Sequence, residues 1–308
     1  AAEAEGMRNV GLAHLPDYCE GLLAGRIDGQ VRPAVSRPTP VIFRLDARKG
    51  LAHPGFDLVY DELVALARTL GVAVFSQRNS YTCGALGYFV SRLATDGLVA
   101  LATSNAGPAA VVVPEGRQAV FGTNPLAFAA PVPGSRPWLV DMATSSIPMN
   151  RVLLNRSLGL ELPAGVAADK DGSATTDPHL ADMLLPLGGA DYGYKGAALA
   201  GVATLFSALL TGTTLDTDFI PMYGGPGGDV STPRNMGHFV LVIDPDKFVG
   251  REMFGMMMTR YLDSLRAAPV RPGAERVMAP GDREWETMAQ REAEGVPVDP
   301  DTERFLGL

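Results

Sequence analysis

Two short stretches of this 308-residue chain carry residue types suited to charged ligands. The first is Gly188-Gly189-Ala190-Asp191-Tyr192-Gly193-Tyr194-Lys195-Gly196, which opens onto a run of small residues. Glycines let backbone N–H groups approach an anion, a helix start carries about half a positive charge, and Lys195 adds a full one. That combination suits a phosphate cradle. The same glycines also suit tight helix packing, and Asp191 puts a negative charge in the same loop. The second stretch is Asp141-Met142-Ala143-Thr144-Ser145-Ser146, at the end of an apolar strand. Open α/β sheets often hold ligands at such strand ends. The competing role for Thr144 or Ser145 is to cap the next helix. Imidazole chemistry must come from His14, His53, His179 or His238. His179 follows the turn sequence Thr-Thr-Asp-Pro and is expected at the surface. His238 precedes a strand. His53 opens a helix, where the dipole depresses its pKa.

The elements that must position these groups alternate without a strict β-α-β beat. Asp17–Gly25 reads as a helix with Leu22 and Leu23 on its apolar side, and Arg32–Pro40 as a proline-punctuated loop. Val41–Leu45 and Val72–Ser76 read as strands. They flank a helix over His53–Leu70, whose Leu58, Leu63, Leu66 and Leu70 recur at helical spacing and which Gly71 terminates. Cys83–Thr95 reads as a second helix, and Leu98–Thr103, Val111–Val113, Leu126–Ala130, Trp138–Met142 and Phe239–Ile243 as strands. Helix returns over Ile147–Asn155, Ala197–Leu210 and much of the chain beyond Phe248. Tyr223–Pro233 reads as a mobile surface loop. The pattern specifies an α/β or α+β protein with a mixed sheet in the middle and helices at both ends.

Composition narrows the function. Apolar residues make up 46% and charged residues 19%, as in a packed chain. With 26 Lys+Arg against 34 Asp+Glu, the net charge of −8 argues against nucleic-acid or anionic-membrane partners. Cys19 and Cys83 cannot form a disulfide framework, no Cys/His cluster suggests a metal, and a reducing cytoplasm is the expected compartment. The uncharged run Gly196–Leu215 is 20 residues long but rich in small residues, so it reads as a buried helix and not a membrane span. Ala1–Gly6 resembles the tail of a helix already under way, so the true N-terminus is expected upstream. There is no Gly-x-Gly-x-x-Gly after a strand, no P-loop, no His-Glu-x-x-His and no Gly-x-Ser-x-Gly.

Taken in order, several segments resemble the type 2 malate/L-lactate dehydrogenase family. They are Leu15-Pro16-Asp17-Tyr18, Arg78-Asn79-Ser80, Gly122-Thr123-Asn124-Pro125, Asp141-Met142-Ala143-Thr144-Ser145, Thr175-Thr176-Asp177-Pro178, Leu187-Gly188-Gly189, Tyr194-Lys195-Gly196, Gly237-His238-Phe239 and Pro280-Gly281-Asp282-Arg283. The resemblance implies a non-Rossmann, mixed-sheet α/β domain over residues 76–245 that binds NAD or NADP. It also implies a mostly helical substrate and dimerisation domain built from residues 1–75 and 246–308, and a homodimer acting on a small-molecule acid. By position, Asp141, Met142, Ala143, Thr144, Ser145, Lys195, Gly196, Gly281, Asp282 and Arg283 match the cofactor contacts. The family runs from paired glycines to its lysine with fewer residues than Ala190–Tyr194 supplies.

The catalytic segments depart from that pattern. Val10 and Thr82 stand where the family's two histidines are expected, and His14 where its arginine is expected. Valine cannot transfer a proton, and threonine is far too weak an acid to replace imidazole. Two readings stay open. In one, hydride still passes between nicotinamide and a 2-oxo, 2-hydroxy or cyclic 2-imino acid, with Tyr81, His14 or His53 as replacement acid and His14 also facing the substrate carboxylate. A cyclic ketimine suits this best, because its nitrogen arrives already protonated. In the other, the chain is a noncatalytic dinucleotide-binding relative.

Overall fold

The computed structural model describes residues 1–220 and 229–307. Positions 223–228 of the expected surface loop lie outside them. Two 3-10 turns, Arg8–Val10 and Leu12–His14, lead into α1 (Leu15–Leu23). Then follow β1 (Ala34–Thr39), β2 (Ile42–Asp46), α2 (Ala52–Leu70), β3 (Val72–Ser80), α3 (Gly87–Thr95) and β4 (Val99–Ser104). The middle of the chain supplies β5 (Val111–Val112), β6 (Ala119–Phe121), β7 (Leu126–Ala130), β8 (Trp138–Met142), α4 (Met149–Leu158), β9 (Ala167–Ala168), β10 (Ala174–Thr175) and β11 (Met183–Leu184). The last part holds α5 (Gly189–Thr204), which continues as a π-turn over Leu205–Leu209, then β12 (Met236–Ile243), α6 (Arg251–Arg266), α7 (Asp282–Glu294) and α8 (Pro300–Leu306).

The expected mixed sheet is present. Seven strands lie in the order β1-β2-β3-β12-β4-β7-β8, and five short ones form a second sheet, β10-β9-β11-β5-β6. In the large sheet only β2 and β3 run parallel; β12 enters antiparallel between β3 and β4. The expected boundary after residue 75 therefore falls inside β3, and residues 34–70 serve this sheet. The stretch read as a loop over 32–40 contains β1. Pro38 is tolerated there because β1 is an edge strand and needs no N–H toward solvent.

The core lies where α2 and α3 cover the sheet. Phe43, Phe56, Leu63, Phe75, Phe89, Leu93 and Val240 pack together there. Each such side chain contributes about 1.5–3 kcal/mol on burial. Helix α2 was expected, but its buried face is Phe56, Val59, Leu63 and Ala67, while Leu58 and Leu70 face water. Leu22 and Leu23 of α1 are likewise exposed; Gly21 is the buried residue of that helix. In both helices leucine frequency misled: the sheet takes the α2 face that carries Phe56, and α1 buries Gly21 against Ile27. The expected helix over 83–95 starts at Gly87, since Gly84 adopts φ +62 and breaks the turn.

Helix α5 also differs from expectation. It begins at Gly189, so the glycine-rich stretch forms its first two turns. Only one face is buried, through Gly193, Gly196, Ala200 and Ala203, while Leu199, Val202, Leu205, Leu209 and Leu210 are exposed. Among the described residues, no helix is long and apolar enough to cross a membrane.

Backbone packing is tightest at Gly237 in β12, where an added Cβ would collide with the carbonyl oxygen of Ser207. Gly237→Ala should therefore lose about 3 kcal/mol in urea unfolding. Gly201→Ala, at a helical position with open space around it, should gain about 0.5–1 kcal/mol. Equal stabilities for the two variants would refute the packing described.

Candidate active site

Ladder registers bring five chain segments to one end of the large sheet. Ser80 lies opposite Met236, His238 opposite Ser104, Thr103 opposite Leu126, and Leu126 opposite Met142. The segments leaving β3, β4 and β8, and those entering β7 and β12, thus share an edge. Buried amides satisfy the backbone where the ladders stop. Asn124 accepts from the Ala106 N–H at 2.8 Å and donates to Asp216 at 2.6 Å and Thr204 at 3.0 Å. Asn105 accepts from the Gly237 N–H at 2.7 Å and donates to the Thr214 carbonyl at 2.9 Å. Buried amides bonded on both sides in this way hold an edge rigid.

The two stretches singled out by residue type meet at this edge. The Leu187 N–H donates to the Thr144 carbonyl at 2.9 Å, the Ser146 hydroxyl donates to the Pro186 carbonyl at 2.8 Å, and Ser145 bridges to Pro186. The end of β8 is thereby joined to the turn that starts α5. Gly188 and Gly189 take left-handed φ values of +96 and +65 in that turn. An added Cβ on Gly196 would meet the Leu187 backbone, and one on Gly193 would lie 2.9 Å from Pro186. These glycines therefore serve helix packing, the alternative raised above. What remains for an anion is the start of α5, where the Gly189 N–H is already given to the Pro186 carbonyl and the amides just after it lack an intrahelical acceptor, and the exposed Lys195. Lys195 lies six residues into the helix, roughly 9 Å along its axis. Its ammonium sits 5.4 Å from the Tyr192 ring and 5.8 Å from that of Tyr194.

The side chains of Asp141–Ser145 are mostly committed inward. Thr144 donates to the Thr123 and Asn124 carbonyls and Ser145 to the Ile147 carbonyl, while Pro148 occupies the N-cap of α4. Neither hydroxyl caps that helix. The Asp141 carboxylate accepts the Gly87 N–H at 2.7 Å and so receives the start of α3. Burial, and secondarily Glu284, push its pKa up to about 6 against the opposing pull of the Gly87 and Leu86 amides. Met142, Ala143 and the strand-end backbone are the parts left to face a ligand. Gly281, Asp282 and Arg283 lie beside β8, toward its Leu139 end. Gly281 packs on Leu139 and Trp285, Asp282 pairs with Arg266 at 2.6 Å, and Arg283 pairs with Glu284 at 2.9 Å. Leu139 precedes Met142 by three residues, roughly 10 Å of strand.

Beyond β3 the chain reaches Tyr81, which is buried. Its hydroxyl donates to the Asp17 carboxylate at 2.6 Å. Burial first, then Asp17, push this phenol up to about 12, with Arg26 opposing. The Tyr18 ring meets Tyr81 edge-on at 5.5 Å, and its hydroxyl donates to the Thr82 carbonyl. An added Cβ on Gly84 would lie 3.1 Å from the Val10 carbonyl, so the segments carrying Val10 and Thr82 do converge, without an imidazole. His53 stacks on Phe89 at 5.3 Å, and burial lowers its pKa. His14 is half-buried and ends the 3-10 turn before α1. His238 is fully buried inside β12 and donates from Nε2 to the Tyr81 carbonyl at 3.0 Å; burial depresses its pKa to about 4. It therefore stays neutral and supports Tyr81 from below. His179 is exposed, as expected. Sequence reasoning missed Asp17, Arg26 and Arg234 at this site. Asp17 stands within a matched segment, yet nothing local marks its side chain as turned inward.

A family profile described as malate/L-lactate dehydrogenase matches residues 1–306. The chain belongs to this family and is an enzyme of it, an oxidoreductase. A Delta(1)-pyrroline-2-carboxylate/Delta(1)-piperideine-2-carboxylate reductase from Pseudomonas putida is 37% identical over 302 residues, 97% of this chain and 84% of that protein. A (2R)-3-sulfolactate dehydrogenase (NADP(+)) from Chromohalobacter salexigens is 36% identical over 80% of this chain and 72% of its own length. Among solved structures, delta1-piperideine-2-carboxylate reductase from Pseudomonas syringae superimposes with a TM-score of 0.84 at 32% identity, covering 99% of this chain and 88% of that one.

The Asp141 carboxyl holds its proton to a higher pH folded than unfolded. Its contribution to stability is therefore greatest in acid and declines as the pH rises from about 4 to about 6. Asp141→Asn keeps an oxygen for the Gly87 N–H and removes the charge. Urea unfolding should show the variant gaining on the wild type across that interval; parallel stability curves would count against a buried carboxyl at this cap.

Proposed function

We propose that this chain is an NAD- or NADP-dependent reductase of a small cyclic 2-imino acid, of the Δ1-pyrroline-2-carboxylate or Δ1-piperideine-2-carboxylate class. The observation that carries this reading is the Tyr81–Asp17 pair, a phenol held protonated beside the converging segments that lack both expected imidazoles. A 2-oxo acid needs a proton delivered to its developing alkoxide, and a phenol pushed up to about 12 gives one up reluctantly near neutrality. A cyclic imine arrives protonated on nitrogen, so the step asks little of an active-site acid. The names of the relatives from P. putida and P. syringae agree with this class.

The residues present suit an anionic dinucleotide at the α5 edge. The first amides of α5 and Lys195 would take its phosphates, and the backbone of Met142–Ser145 would position the ribose or nicotinamide. When bound, the reduced nicotinamide supplies the hydride. Tyr81, fixed by Asp17 from one side and by His238 beneath its carbonyl, would hold the imine nitrogen in orientation. We place the enzyme in the cytoplasm, where Cys19 and Cys83 stay reduced. We assign it a homodimeric state in which a second copy covers Leu199, Val202, Leu205 and Leu209.

With NADPH or NADH, the wild type should reduce Δ1-piperideine-2-carboxylate at least about 100-fold more efficiently than pyruvate, the scale of a missing general acid. Tyr81→Phe should keep imine turnover within about tenfold while abolishing residual pyruvate turnover. Comparable use of pyruvate would overturn the imine assignment, and coenzyme binding without turnover of either acid would favour a noncatalytic relative. Leu205→Glu should convert the dimer to monomer in light scattering; a wild type already monomeric at micromolar concentration would remove the dimer.

A further inference from the structure

We propose that Asp216 is a positioning residue for the coenzyme, acting through Asn124 on the strand end at Thr144. The proposal rests on the dinucleotide reading above and names the buried unit that shapes its ledge. The three residues come from separate segments: the 3-10 turn Asp216–Asp218, the turn before β7 and the end of β8. All are buried, Asp216 at 3% exposure and the other two at 0%.

Asn124 is held at φ +21, on the left-handed side that residues other than glycine rarely enter. Such a residue stays there only where its surroundings over-determine it. Here its own amide does so, with donors and acceptor all engaged. It donates to Oδ2 of Asp216 at 2.6 Å and to the Thr204 hydroxyl of α5 at 3.0 Å, and it accepts the Ala106 N–H at 2.8 Å. Asp216 is anchored in turn, because its backbone carbonyl accepts the Ala109 N–H at 2.9 Å. The peptide fixed in this way meets the coenzyme edge. The Asn124 carbonyl accepts the Thr144 hydroxyl at 3.1 Å, and the Thr123 carbonyl accepts the Thr144 N–H at 2.9 Å. The Thr144 carbonyl then accepts the Leu187 N–H at 2.9 Å, at the turn into α5. Burial raises the pKa of the Asp216 carboxyl, with Asn124 and the Gly122 amide opposing, so keeping this group inside costs stability. Ligand-facing backbone is held to its geometry by locked side chains of this kind behind it. Loss of the Asp216 acceptor would leave an Asn124 N–H unpaired and free the Thr144 peptide to shift.

The test titrates NADPH or NADH, whichever the wild type holds more tightly, into the full chain and follows nicotinamide fluorescence. Asp216→Leu keeps the shape and removes the acceptor. It should raise the coenzyme Kd about tenfold, the scale of a buried donor left unpaired, while the KM for Δ1-piperideine-2-carboxylate at saturating coenzyme moves far less. Asp216→Asn keeps an acceptor oxygen and should return the Kd to within about threefold of wild type. An unchanged Kd in Asp216→Leu, or an equal rise in both constants, would overturn the role. Should the leucine variant not fold, the wild type decides. Coupling is reciprocal, so saturating coenzyme should slow hydrogen exchange at the Ala109 amide, which is bonded to Asp216 behind the ledge. An Ala109 amide indifferent to coenzyme sinks the proposal. Failure of the imine assignment reads differently, because the acid would then go unreduced while the coenzyme constants kept the stated order. A wild type that binds neither reduced coenzyme removes the dinucleotide reading, and this role with it.

Discussion

The hydrogen bond from the Gly87 amide to the Asp141 carboxylate is the contact on which the site's geometry depends. It joins the last turn of the sheet's edge strand to the first turn of α3. By doing so it fixes the Tyr81–Leu86 segment that runs between β3 and that helix. A carboxylate at a helix start gains from the exposed amides and from the dipole, and it loses from burial. Here burial prevails, since the pKa rises even with two amides opposing it. The cap is therefore held in place by packing around it more than by its charge, and Leu139 and Gly87 supply that packing.

From this junction the site has two walls of different material. One is backbone on backbone: the end of β8, the 185–189 turn and the glycine face of α5, zipped by main-chain hydrogen bonds. The other is side chain on side chain: Tyr81, Asp17, Tyr18 and the two arginines, gathered from four separate segments. The first wall suits a ligand common to many enzymes, and the second suits whatever differs between them. His238 links the two, because its strand lies between β3 and β4 while its ring supports the Tyr81 carbonyl.

Much of the fold was legible in the chain. Strands β2, β4, β7, β8 and β12 lie close to where apolar runs placed them, and Gly71 ends α2 as read. The joining of Asp141–Ser145 to the Lys195 helix also followed from residue type and family resemblance. What escaped was the choice among faces. Leu58 and Leu70 repeat at helical spacing as well as Phe56 and Leu63 do, and only the sheet beneath decides which stripe is covered. Glycine was ambiguous for the same reason: at 188–196 it marked close packing inside a helix, not an open loop. The arginine–tyrosine cluster was invisible because its members are 153 and 208 residues distant from Arg234, and no short motif contains them.

The glycine-backed wall leaves no slack at Gly188, Gly193 and Gly196, since any side chain there would run into Tyr192, Pro186 or Leu187. A lineage carrying this scaffold can therefore explore new chemistry in one direction only. Its inheritance is rigid where strand and helix meet, and rewritable where long, flexible side chains converge. Change should accumulate around positions 14, 17, 26, 81 and 234, while the opposite face drifts hardly at all.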